Sequence, residues 1–297
     1  MSGNDKYAAD VSVIGLGQLG TRLAEAFRAA DQRTAVWNRT AAAAEPLVAR
    51  GAIRADSVAD AIGSAPVVVV CLPDYDTVRA VLAPHVEQLR GRVLVNLTSG
   101  TPQEGRDLAA RAAAAGAGYL DGAAMSGTKR VGQRDALFVF SGATDAFDTH
   151  RSVLASLGNA VHLGTDPGLA AVYDTALFAM AWGALAGFYH AVALTDAADI
   201  EPAAFAQVAT GHLPFIGSLM IEHADQIAAG VYPNDDGTVA VHAAAIDHLV
   251  ASGADQHIHP GLPELIRALL ARAESAGHGA DGIASVAAAL RSVPADV

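Results

Sequence analysis

A glycine-rich turn near the start of the sequence has the residue types needed to hold a diphosphate. Gly15, Gly17 and Gly20 follow a β-branched run and open an amphipathic stretch, with Gln18 and Leu19 between them. In this pattern the glycines allow a tight bend, a close backbone approach to a pyrophosphate and close helix–strand packing. The helix N-terminus adds free amide donors and a partial positive charge. The turn therefore predicts a dinucleotide site, with a purely structural turn as the alternative.

The end of the second predicted strand favours NADPH over NADH. Asn38, Arg39 and Thr40 begin eighteen residues after Gly20, where an NAD-specific site places an acidic residue on the ribose 2′-hydroxyl. Asn38 carries no charge that would repel a 2′-phosphate. Arg39 and Thr40 can bind one, because guanidinium and hydroxyl groups donate hydrogen bonds to phosphate oxygens. The alternative for Arg39 is a solvated surface charge.

Two later turns follow apolar strands whose carboxyl ends should lie at the same edge of the sheet. The first contains Cys71, Leu72 and Pro73, and the second contains Asn96 and Thr98. An open α/β sheet binds its ligand at this edge, so we assign Leu72, Pro73, Asn96 and Thr98 to the cofactor. Ordinary turn hydrogen bonding is an equally open alternative for Asn96 and Thr98. We expect Cys71 to be a buried small hydrophobe and not a nucleophile.

One ionisable side chain, Asp174, interrupts the apolar run LAAVYDTALFAMAWGALAGFYHAVAL at residues 169–194. The run is long enough to span a bilayer, but no other run resembles a span and no basic cluster flanks it. We therefore expect a long helix buried by protein, with Phe178 on the face of Asp174 and Trp182 beside it. A carboxylate next to aromatic faces suits a cationic or basic organic substrate. A structural aspartate at an interdomain joint is the alternative.

The elements that would position these residues alternate between strands and helices in the first half of the chain. Short β-branched runs predict strands, and alanine-rich amphipathic stretches predict helices between most of them. The predicted strands cover residues 11–15, 34–38, 67–72, 92–97, 118–122 and 136–142, and the predicted helices include 18–30, 41–50, 101–115 and 144–156. This alternation predicts an α/β fold with a Rossmann-type, doubly wound, mostly parallel sheet.

The second half of the chain lacks convincing strands. Asp166 as N-cap and Pro167 as the first helical residue predict the start of the long helix. Further helices are predicted over residues 201–230, 238–254, 261–277 and 280–292. The sequence thus predicts three parts: an NADPH-binding domain over residues 1–164, a long interdomain helix over 165–195, and an all-helical domain for dimerisation and substrate binding over 196–297.

Composition narrows the class of protein. The net charge of −12 at pH 7 argues against a nucleic-acid partner. A single cysteine forms no internal disulfide, and no secretory signal opens the sequence. His257 and His259 have no cysteine or carboxylate at a convincing ligand spacing, so we expect no metal site. These features are typical of a cytoplasmic protein that binds neither nucleic acid nor a membrane.

Taken together, the motifs resemble those of the imine reductases, NADPH-dependent relatives of the β-hydroxyacid dehydrogenases. The similar stretches are GLGQLG, NRT, CLPD, NLTSGTP, DPGLAAVYDTAL and SAGHGADGIASV, which run over nearly the whole chain. The resemblance implies a domain-swapped homodimer in which the long helix carries the C-terminal domain onto the partner. It also implies that Asp174 is the proton donor or the anchor of the imine nitrogen.

The reaction implied by this resemblance is hydride transfer from NADPH to an imine or iminium carbon, giving an amine. Its substrate is a small imine, or a ketone and an amine if the protein also catalyses reductive amination. Asn96 would position the amine or the cofactor amide. Phe215, Met220 and His242 would come from the second subunit. The predicted substrate pocket consists of Asn96, Met125, Phe178, Trp182, Phe215, Met220 and His242.

Two alternatives to this function stay open. A β-hydroxyacid dehydrogenase carries a catalytic lysine on the equivalent helix, whereas this sequence contains only Lys6 and Lys129, neither of them on that helix. Ser126 and Gly127 are nevertheless similar to a substrate-binding segment of those dehydrogenases. Lys129 and Arg130 follow directly, and they either bind a carboxylate or are solvated. The second alternative is an NADPH-binding protein that has lost its chemistry.

Overall fold

An eight-stranded sheet runs through the first of two compact units, Met1–Met180 and Ala181–Val297. The structure is a computed structural model and describes residues 7–291. The strands are β1 (Val11–Ile14), β2 (Thr34–Trp37), β3 (Ile53–Arg54), β4 (Val67–Val70), β5 (Val93–Asn96), β6 (Gly118–Ala124), β7 (Leu137–Gly142) and β8 (Asn159–His162). Their order is β3-β2-β1-β4-β5-β6-β7-β8, and every pair is parallel except β6 with β7. The predicted mostly parallel α/β sheet is confirmed.

Helices cover both faces of this sheet. They are α1 (Gln18–Ala29), α2 (Glu45–Val48), α3 (Val58–Ser64), α4 (Tyr75–Leu82), α5 (Pro102–Ala114) and α6 (Thr144–Leu154). Alternate side chains of β4 enter different cores: Val67 and Val69 join one apolar cluster, and Val68 and Val70 join the other. Successive side chains of a strand point to opposite faces, so a strand buried on both faces reads as a continuous apolar run.

Three features of the first unit differ from the prediction. The strands β3 and β8 were missed because they lie at the two edges of the sheet and are largely exposed or half-buried, without an apolar run. The predicted helix over residues 41–50 is a 3₁₀ turn, Ala41–Ala44, followed by the four residues of α2. Pro46 has no N–H to donate to Ala42, which interrupts a continuous α-helix there.

The remaining helices depart from the predicted bounds mainly near the end of the chain. They are α7 (Leu169–Asp196), α8 (Pro202–Ala229), α9 (Val239–Asp255), α10 (Gly261–Ala273) and α11 (Val286–Arg291). The predicted helix over 261–277 changes after α10 into a π-helical turn, in which Gly277 has φ +94°. The predicted helix over 280–292 begins with a 3₁₀ turn and becomes α-helical only at Val286. Glycines in this region release the chain from regular helix.

The prediction that Pro167 is the first helical residue is wrong, whereas the predicted cap Asp166 does accept a backbone N–H here, from Gly168 N to Oδ1 at 2.9 Å. The helix α7 begins at Leu169, and the Ser141 side chain of β7 holds its first residues. The Ser141 hydroxyl donates to Pro167 O at 2.9 Å and accepts from Ala170 N at 2.9 Å. A hydroxyl from the sheet therefore satisfies a further backbone N–H at this helix end, beside the one that Asp166 accepts, and it holds the start of α7 against β7.

Two helices, not one, are long and apolar enough to cross a membrane by length and composition. They are α7 and α8, with mean hydropathies of 1.5 and 1.3, so the expectation that no other run resembles a span is wrong. The expectation that protein buries the long helix also fails within a single copy. Only Ala170 and Ala171 of α7 are buried, and no residue of α8 is.

Candidate active site

The glycine-rich turn has the geometry of a phosphate cradle. Gly15 has φ +99°, and a Cβ there would lie 2.2 Å from Cys71 O, while a Cβ on Gly20 would lie 2.0 Å from Gly15 O. A Cβ on Gly17 would meet no atom within 4 Å, so this glycine faces open space. Gly17 is also the N-cap of α1 and provides no side-chain cap. The first amides of α1 are thus available to an anionic group.

A cavity of about 600 Å³ lies beside this turn. Its walls are the glycine-rich turn at residues 15–19, the end of β2 at 37–40, the turn after β4 at 71–73, Thr77 and Val81 of α4, and Leu97 and Ser99 after β5. Nine of the twelve predicted cofactor residues line it: Gly15, Gly17, Gln18, Leu19, Asn38, Arg39, Thr40, Leu72 and Pro73. Trp37 and Ser99 were not predicted, although each adjoins a predicted residue.

Two of the predicted residues at the end of β2 have different roles. Asn38 Oδ1 accepts from Leu16 N at 3.0 Å and Asn38 Nδ2 donates to Thr40 O at 3.1 Å, so this side chain joins the glycine-rich turn to β2. Arg39 is exposed and forms no ion pair with residues 7–291. A second cavity of about 240 Å³ shares Trp37, Asn38 and Arg39 with the first. A guanidinium in this position fits a bound phosphate.

The structure does not bring Asn96 and Thr98 to the cavity wall. Thr98 Oγ1 accepts from Leu72 N at 3.1 Å, and Asn96 Nδ2 donates to Asp121 Oδ1 at 2.9 Å. Both side chains are buried. They lie beneath the cavity and tie its turns together, which is closer to the alternative of turn hydrogen bonding. Direct contact of either residue with a ligand stays a prediction.

A buried carboxylate, Asp121 of β6, is a functional candidate that the sequence motifs did not reveal. Its Oδ1 accepts from Tyr75 Oη at 2.7 Å, Tyr119 Oη at 2.8 Å and Asn96 Nδ2 at 2.9 Å. Burial raises the pKa of Asp121, the three hydrogen bonds lower it, and the nearby charge of Asp174 raises it further. A carboxylate inside the apolar strand GYLDG was the available signal, since charged residues are rarely buried without partners.

Asp174 lies on α7 one helical turn beyond Ala170, which packs against Ala123 and Val139 of the sheet. Its side chain is half-buried. The carboxylate makes no hydrogen bond or ion pair with any of the residues the structure describes, and its charge acts on Asp121. The first unit therefore contains both the glycine-rich cavity and an uncommitted carboxylate.

Comparison with known proteins shows to which family the chain belongs. Residues 166–292 match the family described as "NADPH-dependent reductive aminase-like, C-terminal domain", and residues 10–164 match the "NAD binding domain of 6-phosphogluconate dehydrogenase". The NADPH-dependent reductive aminase of Aspergillus oryzae is 31% identical over 284 residues, which cover 93% of this chain and 95% of that protein. The chain belongs to the imine reductase family. The resemblance inferred from the motifs is confirmed.

Solved structures of the imine reductase family share the fold. The Streptomyces aurantiacus imine reductase has a TM-score of 0.89 and 33% identity, covering 95% of this chain and 100% of that chain. A reductive aminase from Aspergillus terreus, in complex with NADPH4, cyclohexanone and allyl amine, has a TM-score of 0.87 and 32% identity, covering 96% and 100%. The predicted combination of a Rossmann-type sheet with a helical C-terminal part is thus confirmed.

The other predicted pocket residues of this imine reductase family member fall in both units. In the first, Met125 packs against the cluster that contains Ala170, and Phe178 is 65% exposed. In the second, Trp182, Phe215 and Met220 are exposed, and His242 Nε2 lies 3.2 Å from Asp236 O. Their assignment to a substrate pocket stays a prediction.

The segment that departs from the imine reductase pattern is held by its own hydrogen bonds. Ser126 Oγ accepts from Leu137 N at 3.0 Å, which fixes the connection between β6 and β7. Arg130 forms an ion pair with Asp135. Lys129 is exposed and has no ion pair within residues 7–291. A carboxylate ligand would therefore have to compete with Asp135 for Arg130, whereas Ser126 uses its oxygen only as an acceptor from Leu137 N.

Proposed function

We propose that this chain reduces the C=N bond of small imines or iminium ions to amines, with NADPH as the reductant. Bound NADPH would supply a hydride to the carbon of the C=N bond. The observation that carries the proposal is the uncommitted, half-buried carboxylate of Asp174 on α7. A hydroxyacid dehydrogenase would need a lysine on this helix, and α7 contains none.

The cofactor would be held by groups of the first unit. The open face of Gly17 and the free amides of α1 suit the diphosphate. Arg39, exposed and without an ion pair among the described residues, suits the 2′-phosphate that distinguishes NADPH from NADH. Thr40, Leu72 and Pro73 line the same cavity. NADPH-dependent relatives over almost the full length of the chain support this choice.

Asp174 would act at the nitrogen of the substrate. An anionic carboxylate stabilises a positively charged iminium, and a protonated carboxyl donates the proton that the amine nitrogen gains. In both arrangements the carboxyl group must lie within hydrogen-bond reach of the nitrogen. Phe178 and Trp182 provide aromatic faces that attract a cation. Met125 is proposed to shape the rest of the pocket together with Phe215, Met220 and His242 of a second copy of the chain. Asn96 is proposed to position the cofactor from beneath.

The test is NADPH oxidation with 2-methyl-1-pyrroline, a small cyclic imine, by wild type, Asp174→Ala and Asp174→Asn. We expect turnover by the wild type and a fall of about a hundredfold in kcat for both variants, as is typical when a general acid is lost. Unchanged turnover in the variants would keep the reductase and remove Asp174 from its chemistry. NADPH binding without turnover on a broad panel of imines would favour the non-catalytic alternative, and oxidation of hydroxy acids the dehydrogenase.

Reductive amination is the second activity we propose. The relatives that support it are reductive aminases, one of them in complex with cyclohexanone and allyl amine. The assay compares NADPH oxidation with that ketone and amine together against each alone. Consumption that requires both components supports the proposal, and consumption by the ketone alone identifies a carbonyl reductase instead.

We also infer that a second copy of the chain covers the apolar faces of α7 and α8. Large apolar side chains on these helices are exposed in one copy, among them Phe178 at 65%, Val208 at 72% and Ile221 at 72%. Exposed apolar surface of this extent marks an interface. We propose a cytoplasmic homodimer in which residues 1–164 bind NADPH, residues 165–195 form the interdomain helix, and residues 196–297 serve dimerisation and substrate binding. Light scattering measures the molar mass of the protein in solution, and twice the mass of the chain is the expected result. A monomer that stays in solution only with detergent would indicate that a membrane covers these helices instead.

A further inference from the structure

The buried Asp121 side chain joins the two turns that form the wall of the cofactor cavity. Asp121 lies beside Asn96 in the parallel register of β5 and β6. Tyr75 is the first residue of α4 and directly follows the turn after β4. Asn96 Nδ2 and Tyr75 Oη donate to the same carboxylate oxygen, at 2.9 and 2.7 Å. One oxygen atom is thus the shared acceptor for a side chain from each turn.

The connection continues from Asn96 to the surface of the cavity. Asn96 Nδ2 also donates to Thr98 O at 3.3 Å, and Thr98 Oγ1 accepts from Leu72 N at 3.1 Å. Leu72 and Ser99 both line the cavity. Movement of the Asp121 carboxylate would therefore be transmitted to the backbone of both turns.

Tyr75 is also wedged sterically against the second turn. A Cβ on Gly100 would lie 2.4 Å from atoms of the Tyr75 ring, so the turn after β5 passes directly over that ring. Tyr75 is 1% exposed, and burial is the largest cause that raises the pKa of its phenol. The hydroxyl is consequently neutral at physiological pH and always able to donate to Asp121.

The burial of this carboxylate calls for a reason beyond packing. Burying a charge is unfavourable unless hydrogen bonds compensate, and apolar side chains in place of a whole buried polar cluster are often as stable or more stable. A satisfied polar network in a low-dielectric core instead fixes one arrangement of the groups that share it. Here the groups that share it belong to the turns beside the cavity.

We propose that Asp121 is a positioning residue for NADPH: by accepting Tyr75 and Asn96 on one oxygen, it holds the turns after β4 and β5 in their binding conformation before the cofactor arrives. The inference rests on the proposed use of NADPH and goes beyond it. Asp121 itself lies outside the cavity wall and acts through Tyr75, Asn96 and Thr98. Setting the turns in advance removes their ordering entropy from the binding step and so tightens binding.

Tyr119 provides a matched control. Its hydroxyl donates to the same Asp121 Oδ1, at 2.8 Å compared with 2.7 Å for Tyr75. Tyr119 belongs to β6, the strand of Asp121 itself, and is not part of either turn. Tyr75→Phe and Tyr119→Phe each remove one hydroxyl donor from one carboxylate oxygen. A purely structural role of the cluster predicts the same consequences for both.

The experiment measures the Kd of NADPH by fluorescence titration of the substrate-free protein, beside the thermal midpoint of each variant. We expect Tyr75→Phe to raise the Kd about tenfold, equivalent to the loss of one hydrogen bond to a charged group. Tyr119→Phe should lower the thermal midpoint similarly and change the Kd by less than about threefold. At saturating NADPH the kcat of Tyr75→Phe should return to near the wild-type value, because the defect is in binding.

Asp121→Asn and Asp121→Leu complete the test. Asparagine keeps an acceptor oxygen and should rescue the Kd to within about threefold of wild type, whereas leucine should not. If the leucine variant fails to fold, the Kd values of Tyr75→Phe, Tyr119→Phe and Asp121→Asn still test the proposal. Equal Kd increases for both tyrosine variants, or an increase for neither, would overturn the proposal. Because Kd needs no turnover, a wild type that binds NADPH without reducing imines counts against the proposed reaction only; absence of NADPH binding overturns both.

Discussion

Arg106 of α5 and Asp166 form a bidentate ion pair, with Nε 2.9 Å from Oδ1 and Nη2 2.8 Å from Oδ2. Asp166 Oδ1 also accepts from Gly168 N at 2.9 Å, immediately before α7. The pair therefore ties the start of the long helix to a helix that covers the sheet. The Arg106 hydrogen bond is the largest of the causes that lower the pKa of Asp166 to about 2.

This lowered pKa predicts a pH dependence of stability. Between about pH 4 and pH 2 an unfolded chain protonates this carboxyl while the folded protein does not. The ion pair's contribution is therefore present above about pH 4 and is lost as the pH falls through the folded pKa of about 2. We expect Asp166→Asn to have a lower Tm than wild type at pH 6, and the difference to shrink below about pH 4.

The control for Asp166→Asn is Asp247→Asn. The Asp247 carboxylate contacts Arg267 at a single 3.6 Å distance and is exposed, and an exposed pair of that kind contributes little. Thermal melts at several pH values compare the three proteins. A constant Tm difference between wild type and Asp166→Asn down to pH 2 would show that the ion pair does not cause the stabilisation.

The glycine-rich turn and a surface helix predict opposite outcomes for two glycine-to-alanine substitutions. Gly15→Ala places a Cβ 2.2 Å from Cys71 O at φ +99°, so we expect a loss of more than about 2 kcal/mol of unfolding free energy. Gly63 lies in α3, where an added Cβ would meet no atom within 4 Å, and Gly63→Ala should stabilise by about 0.5 kcal/mol. Urea unfolding measures both. Equal effects of the two would contradict the steric argument.

The features that could be predicted from the sequence are those that depend on residues close together in the chain. The glycine-rich turn and the apolar strands β1, β4 and β5 depend on neighbouring residues and on burial of both faces, which a sequence pattern records. Asp121 was missed because two of its three partners are distant: Tyr75 is 46 residues away and Asn96 is 25. The Ser141 hydroxyl that holds the start of α7 was missed for the same reason, since it lies 26 residues from its acceptor Pro167 O. Contacts between residues so far apart in the sequence can be predicted only when the order of the strands in the sheet is known.

Arg39 should determine which nicotinamide cofactor is used. We expect Arg39→Ala to raise the KM for NADPH at least about tenfold and to leave the KM for NADH nearly unchanged, because only NADPH has a 2′-phosphate for the guanidinium. Steady-state kinetics with both cofactors measure the ratio. Arg22→Ala is the matched control. Arg22 is another exposed arginine, but it pairs with Glu25 and does not line the cavity that contains Arg39. Similar changes in both variants would indicate a general effect of charge.

Cys71 should react slowly with alkylating reagents although it lines the cofactor cavity. Burial raises the pKa of its thiol to about 11, so at pH 8 only about 0.1% is thiolate, the reactive form. We expect alkylation by iodoacetamide at pH 8 to be at least about a hundredfold slower than that of free cysteine, and to rise about tenfold per pH unit until near pH 10. Mass spectrometry follows the single modified site.

The same thiol also reports on the cavity, because Cys71 and Leu72 lie on its wall. A ligand that fills the cavity blocks the access of iodoacetamide to the thiol, so saturating NADPH should slow alkylation of Cys71 further. The control variant Cys71→Ser should show no labelling under any condition. NADH at the same concentration should protect less, since it lacks the 2′-phosphate that Arg39 would hold. Rapid labelling at pH 8, unaffected by NADPH, would mean that the thiol pKa is not raised and that the thiol does not lie beside the bound cofactor.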